Sequence, residues 1–238
     1  MKKLTNKAAG TLRAHDISLN LLKANDLVAE MIRSDMQCRN ILLLNLVSSP
    51  GSGKTSLLEE TIKLLKDEVN IAVLEGDLET ERDADRIRKQ GVPALQIVTG
   101  GTCHLEAQMI HQALPKINLD NVDILFIENV GNLVCPASYD LGEDIRVTLI
   151  SCTEGDDKPK KYPSMFLTTD IMLVTKTDLL PYVPFSVEAV TKDAEEVNAS
   201  IQTFVLSSYK GNGMSEWCQY LIQQLEQKRE KNSVNAAL

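Results

Sequence analysis

No stretch of eighteen apolar residues occurs in this 238-residue chain. Its longest apolar run, residues 41–47 broken by Asn45, has the length of a buried strand, so neither a transmembrane helix nor membrane insertion is expected. Positive charge is also in deficit. The net charge of -8 excludes the basic face that a nucleic-acid binder needs. The opening Met1-Lys2-Lys3-Leu4-Thr5-Asn6 lacks the apolar core of a secretory leader, and the five cysteines show no regular framework. A reducing, cytoplasmic compartment is the expectation that follows. There is no internal repeat and no low-complexity block. The chain does have length: one α/β domain of about 150 to 200 residues plus extensions, enough to bury a core without staples.

Short β-rich runs alternate with helical patterns, the signature of βαβ units around a parallel sheet. The runs predict strands over 41–47, 71–75, 94–98, 122–128, 146–152, 171–175 and 201–206. Helices are predicted over 55–67, 82–90, 104–113 and 187–198. Met214, Trp217, Cys218, Leu221, Ile222 and Leu225 recur at helical spacing and define one apolar face of a last helix. Residues 12–36 read as a helix ahead of the first strand, able to cover a sheet edge or join a dimer interface. The predicted organisation is a helical extension (1–39), a P-loop domain (40–226) and a frayed tail (227–238). The fold class expected is α/β, a P-loop NTPase three-layer αβα sandwich whose mostly parallel sheet has about seven strands.

Ser48-Ser49-Pro50-Gly51-Ser52-Gly53-Lys54-Thr55 follows an apolar strand and opens a helix, the context that turns a short pattern into a phosphate-binding loop. Gly51 and Gly53 let backbone N–H groups converge on phosphate oxygens with no Cβ in the way, and the helix adds its positive end. Lys54 is placed to reach the β and γ phosphates and Thr55 to bind Mg²⁺, with Ser52 and Ser56 among the nucleotide-binding residues. The first glycine of the usual pattern is replaced by Ser48.

Three further elements follow strands and so reach the same sheet edge. Asp77 can hold Mg²⁺ or position the attacking water, and Glu128, leading into Asn129-Val130-Gly131, stands where the γ-phosphate is sensed. Lys54, Asp77 and Glu128 form the candidate catalytic set; Thr55, Asp77 and Glu128 form the Mg²⁺ set. In Thr175-Lys176-Thr177-Asp178, Asp178 can accept two hydrogen bonds from guanine while the Lys176 stem lies along the base. GTPases usually have Asn where this chain has Thr175.

Of three histidines, His104 adjoins Cys103 at a strand-to-helix junction, and Cys135 lies seven residues beyond Glu128. Two thiolates and an imidazole suit Zn²⁺ or Ni²⁺ and leave a fourth position open. On residues alone, buried thiols with a capping histidine remain an equal alternative. Cys152 and Cys218 fall on apolar faces and read as core; Cys38 is undetermined; His15 and His111 read as surface.

Together these stretches closely resemble HypB, the hydrogenase and urease nickel-incorporation GTPase family, over roughly residues 22–225. The most specific are the segment from Asn45 through Thr55, Glu75-Gly76-Asp77 with Asp83-Ala84-Asp85-Arg86-Ile87, and Thr102-Cys103-His104-Leu105-Glu106-Ala107. Equally telling are the run from Glu128 to Pro136 and the run from Glu154 to Pro163. The resemblance implies a GTP/GDP- and Mg²⁺-dependent homodimer, favoured by nucleotide, that delivers Ni²⁺ to the [NiFe]-hydrogenase centre. It implies a partner such as the HypA-type nickel chaperone, a Ni²⁺ or Zn²⁺ site at Cys103, His104 and Cys135, and a nucleotide contact across the dimer from Lys161. The family's Cys-rich N-terminal nickel motif and His-rich tract have no counterpart, since the first cysteine is Cys38 and only His15 precedes the loop. Rival readings are a urease accessory GTPase, whose Cys-Pro-His motif is missing, a cobalamin-enzyme accessory GTPase, and a small-molecule kinase on the same scaffold.

Overall fold

The computed structural model describes residues 14–77 and 81–236. The elements run α1 (Ala14–Cys38), β1 (Leu42–Ser48), α2 (Lys54–Leu65), β2 (Ile71–Asp77), α3 (Arg82–Arg88), β3 (Ala94–Val98), α4 (Ala107–Ala113) and β4 (Ile124–Glu128). They continue with β5 (Ile145–Ser151), α5 (Lys158–Lys161), α6 (Pro163–Leu167), β6 (Ile171–Thr175), α7 (Val187–Val197), β7 (Gln202–Val205) and α8 (Met214–Ala236). The strands form one sheet in the order β3-β2-β4-β1-β5-β6-β7. Every adjacent pair is parallel. All C-terminal strand ends therefore open on one edge, where ligands of such sheets bind.

β1 is apolar along nearly its whole length because both of its faces are covered. Leu42, Leu44 and Leu46 face Leu57, Leu58 and Ile62 of α2 and Trp217 and Leu221 of α8. Leu43, with Ile41 just before the strand, faces Ala29, Ile32 and Met36 of α1 and Ile110 of α4. Met172 and Val174 of β6 pack with Val190 and Ala194 of α7. Asn45, fully buried in the central strand, is satisfied on both sides. Its amide donates to Glu143 Oε1 at 3.1 Å, and its oxygen accepts from Asn129 Nδ2 at 3.2 Å. The result is the three-layer sandwich the alternating pattern predicts.

Three expectations are corrected. The N-terminal helix covers a sheet face beside α4, not an edge, because Ala29, Ile32 and Met36 recur at helical spacing and need a flat apolar partner. Its first two predicted positions, Leu12 and Arg13, lie outside the described residues. The polar segment after Gln227 does not fray but continues α8 to Ala236. Lys228 reaches Asp144 at 2.5 Å, Arg229 pairs with Asp123, and the Asn232 amide donates to Gln37 O at 2.9 Å. The helix predicted from 104 begins at Ala107, since residues 104–106 stay outside the helical turn. The short helices α5 and α6 escape pattern reading because each spans only four or five residues and carries proline at its start.

Candidate nucleotide and metal sites

At the C-terminal end of β1 the phosphate loop turns through two left-handed residues, Gly51 (φ 76°) and Gly53 (φ 100°), before α2 begins at Lys54. That backbone favours glycine over any residue with a side chain. The loop rims a cavity of about 480 Å³ lined by Gly51, Gly53, Lys54, Thr55, Ser56, Asp77, Glu128 and Lys176. Lys54 is buried, its Nζ donating to Ser48 Oγ at 2.9 Å, so the residue replacing the usual first glycine holds the lysine over the loop. Thr55 Oγ1 donates to Glu128 Oε1 at 2.9 Å, and Ser56 accepts from Arg86 at 3.3 Å. Gly131 closes against the loop, since a Cβ there would stand 2.9 Å from Pro50 Cα. A larger cavity of about 670 Å³, lined by Arg33, Asp144 and Lys228, lies at the opposite sheet edge beside the starts of β1 and β5. It gathers none of these groups, so chemistry and not size assigns the site.

Sequence reasoning gave no site role to four residues here, although their stretches carry the family resemblance. Glu75, Asp83 and Arg86 also line the cavity, and Glu154 supports the loop from behind. Glu75 and Glu128 are register partners on β2 and β4, both buried. Burial and the neighbouring Glu128 push Glu75 up to about 10, while burial, opposed by Lys54, raises Glu128. Two buried acids cannot both ionise cheaply. With the proton kept on Glu75, the two carboxyls hydrogen-bond to each other. The alternation of β2 could have exposed Glu75, because an acid two residues before Asp77 on a buried strand shares its face. Ser52 Oγ donates to Glu154 Oε1 at 2.6 Å, and Lys158 pairs with the other Glu154 oxygen at 3.2 Å. Burial opposes the charge of Glu154, but bonds from Ser52, Ser49, the Ser151 N–H and Lys158 hold its carboxyl below the usual range.

The predicted base motif leaves β6 beside the loop. Thr175 Oγ1 donates to Ser52 O at 2.7 Å, so the departure from Asn keeps a tie to the phosphate loop. Lys176 sits in the left-handed region (φ 58°) and its Nζ donates to Gly51 O at 2.6 Å. Asp178 stands off from the phosphate cavity and its Oδ1 accepts from Ser207 Oγ at 2.5 Å. Lys161 is not brought to the cavity; it is exposed and pairs with Asp157 at 2.6 Å.

On the neighbouring strand ends, Cys103, His104 and Cys135 converge with ligand atoms all within 4.8 Å of one another. Gly100 and Gly101, both at positive φ, turn the chain after β3, and Cys135 opens a single 3₁₀ turn to Ser138. The two sulfurs are 3.0 Å apart and His104 Nδ1 lies 3.9 Å from Cys103 Sγ. Thiolates on a tetrahedral ion with bonds of about 2.3 Å stand roughly 3.8 Å apart, so the pair needs to open by under about 1 Å. The Cys103 bond and then burial raise Cys135 above the ordinary thiol range. All three residues are half-buried, as an ion reached from solvent requires. Cys152 and Cys218 are buried, Cys38 and His111 exposed, and the side chain of His15 lies outside the described residues.

The two sites are wired together. Asn129, next to Glu128, accepts through Oδ1 from the backbone N–H of Leu105, next to His104, at 3.2 Å. The Leu105 side chain fills the space over Gly76, where a Cβ would stand 2.6 Å from Leu105 Cδ1. One short segment is thus tied to the ends of both strands that carry the cavity's acids.

Comparison with known proteins identifies the family. The family model of the CobW/HypB/UreG nucleotide-binding domain matches residues 42–205. The hydrogenase maturation factor HypB of Escherichia coli K12 is 53 % identical over 209 residues, which span 88 % of this chain and 72 % of that protein. The hydrogenase/urease maturation factor HypB of Helicobacter hepaticus is 42 % identical over 235 residues, 97 % of this chain and 95 % of that protein. The crystal structure of HypB from Helicobacter pylori in complex with nickel superposes with a TM-score of 0.81 at 42 % identity, covering 88 % and 97 % of the two chains. The chain therefore belongs to the HypB family of P-loop GTPases, within the CobW/HypB/UreG group.

Proposed function

We propose that this chain is a GTP-hydrolysing metallochaperone that holds Ni²⁺ or Zn²⁺ at Cys103, His104 and Cys135 and delivers nickel during [NiFe]-hydrogenase maturation. The observation that carries the reading is the Asn129–Leu105 link between a phosphate-loop cavity and a Cys-His-Cys cluster. In the proposed cycle the loop amides and Lys54 bind the phosphates. Thr55, Asp77 and Glu128 hold Mg²⁺, which when bound neutralises charge on the β and γ phosphates. Asp77 and Glu128 orient the attacking water. Asp178, steadied by Ser207, selects guanine. Loss of the γ-phosphate frees the loop after Glu128, as in other switch proteins, and shifts Cys135 against Cys103 and His104. Linkage then requires that bound metal alter nucleotide affinity in return.

Two thiolates and one imidazole fit Ni²⁺ and Zn²⁺ alike, and three protein ligands leave a position for a receiving protein. We further propose a cytoplasmic homodimer favoured by nucleotide, with Lys161 reaching the partner's nucleotide and a HypA-type nickel chaperone as the exchange partner. The exposed position of Lys161 supports that role, since its ammonium can exchange Asp157 for a group across an interface. A phosphate-release assay with GTP and ATP tests the enzyme. GTP turnover abolished by Lys54→Ala, and guanine preference relaxed by Asp178→Ala, are the expected results. Equal turnover of both nucleotides by the wild type contradicts the guanine assignment.

A further inference from the structure

The ring of His104 has two nitrogens in different surroundings. Nδ1 faces Cys103 Sγ at 3.9 Å. Nε2 is buried and has no hydrogen-bond partner, and the nearest carboxylate oxygen, Glu106 Oε1, lies 3.5 Å away. Tyr139 stacks on the ring with centroids 4.1 Å apart and planes 30° from parallel, which fixes the tilt of the imidazole.

The backbone explains why Glu106 is there. Glu106 is extended (φ -111°, ψ 153°) ahead of α4. Successive side chains of extended backbone point to opposite sides. Leu105 points inward over Gly76, and His104 and Glu106 share the other side. Glu106 occupies the N-cap position of α4, and its side chain makes no capping hydrogen bond to the helix. A histidine that binds a metal through one nitrogen needs an acceptor for the proton on the other, and that acceptor fixes which nitrogen keeps its lone pair.

We propose that Glu106 is a positioning residue for the metal centre: it accepts the Nε2–H of His104 and so keeps the neutral ring in the tautomer whose Nδ1 lone pair faces Cys103 and Cys135. The proposal rests on the metal reading of the three ligands given above. Glu106 does not ligate the ion; it acts through His104, with Tyr139 holding the ring plane. Its negative charge also favours a divalent cation nearby, and the two contributions separate experimentally. Gln keeps an acceptor oxygen without the charge, whereas Ala removes both.

Zn²⁺ affinity of the full chain, measured by competition with a chromophoric chelator, tests the idea together with ¹⁵N NMR of the His104 ring in the metal-free protein. Glu106→Ala is expected to weaken Zn²⁺ binding about 10-fold, the low end for such outer-sphere partners, with an unchanged melting temperature. Glu106→Gln is expected to fall between the variant and wild type. The wild-type ring is expected to carry its proton on Nε2, and the Ala variant to show a mixture of tautomers. Wild-type Zn²⁺ affinity in Glu106→Ala, or a wild-type proton on Nδ1, overturns the proposal. Cys135→Ala separates this from failure of the metal reading. Binding lost there but untouched in Glu106→Ala overturns only the role of Glu106, while binding untouched in both overturns the metal site and the proposal with it.

Discussion

Glu75 shows how a single residue can pull against the stability of its own fold. An ordinary glutamate in the unfolded chain titrates near about 4.3, but burial and Glu128 raise this one to about 10. Between those values the folded protein keeps a proton that the unfolded chain gives up, so its stability falls as pH rises. Glu75→Gln should therefore raise the melting temperature of the nucleotide- and Mg²⁺-free protein, by more at pH 8 than at pH 5, in calorimetry. An equal gain at both pH values would remove the titration as its cause. The cost makes sense beside a cation: a carboxyl pair next to Thr55 and Lys54 is unfavourable empty and favourable around Mg²⁺. At the metal centre the sign reverses. Cys135 is raised above the ordinary thiol range, chiefly by the Cys103 bond, and must lose its proton to bind an ion. Zn²⁺ affinity should climb between pH 6 and pH 8, read by chelator competition with proton release into a weak buffer, and a flat profile would argue against thiolate ligation.

At the scale of elements, α1 latches both segments that carry the Cys-His-Cys cluster. The buried Asn25 side chain accepts from Ala107 N at the start of α4 and donates to Asp140 O beyond Cys135, each at 2.8 Å. Arg33 adds an ion pair in which Nη2 donates to both Asp140 oxygens. Asn25→Ala strands two backbone groups at once, so a loss of about 1–3 kcal/mol is expected in denaturant unfolding. An unchanged midpoint would mean water replaces the amide. These contacts were out of reach of the sequence, because nothing in residues 14–38 announces partners 82 to 115 positions away. Local pattern did reveal α1 itself, the phosphate loop and every strand, since period and turn chemistry are local. The same locality explains the misses. Gln227 onward is polar, and distant partners (Asp123, Asp144 and the backbone of Gln37) make it a helix that stays docked. Leu105 reads as an ordinary helical apolar residue until Gly76 is found beneath it.

Over the whole molecule, the parallel sheet gathers strand ends from 48, 77, 98, 128 and 175 on one edge, which is why nucleotide and metal chemistry can share a single domain. Cys103, His104 and Cys135 were legible as one candidate ligand set from residue type and family resemblance; their distances were not, because the convergence depends on β3 and β4 both flanking β2. The Asn129–Leu105 hydrogen bond is the most direct connection between the chemistries. Asn129→Ala should leave GTP affinity within about two- to threefold of wild type, yet reduce the coupling between nucleotide and metal, which is typically about 1–3 kcal/mol where it exists. Isothermal titration of each ligand with and without the other reads this out, and coupling undiminished in Asn129→Ala would move the connection elsewhere.

The central claim is that one nucleotide state holds the ion and the other releases it. Nickel and zinc affinity of the full chain, measured with GDP and then with a non-hydrolysable GTP analogue, addresses it most directly. The account predicts different affinities in the two states, with the difference lost when Cys103 or Cys135 is replaced by Ala. Equal metal affinity in both states, or tight nucleotide binding with no metal uptake, would contradict it.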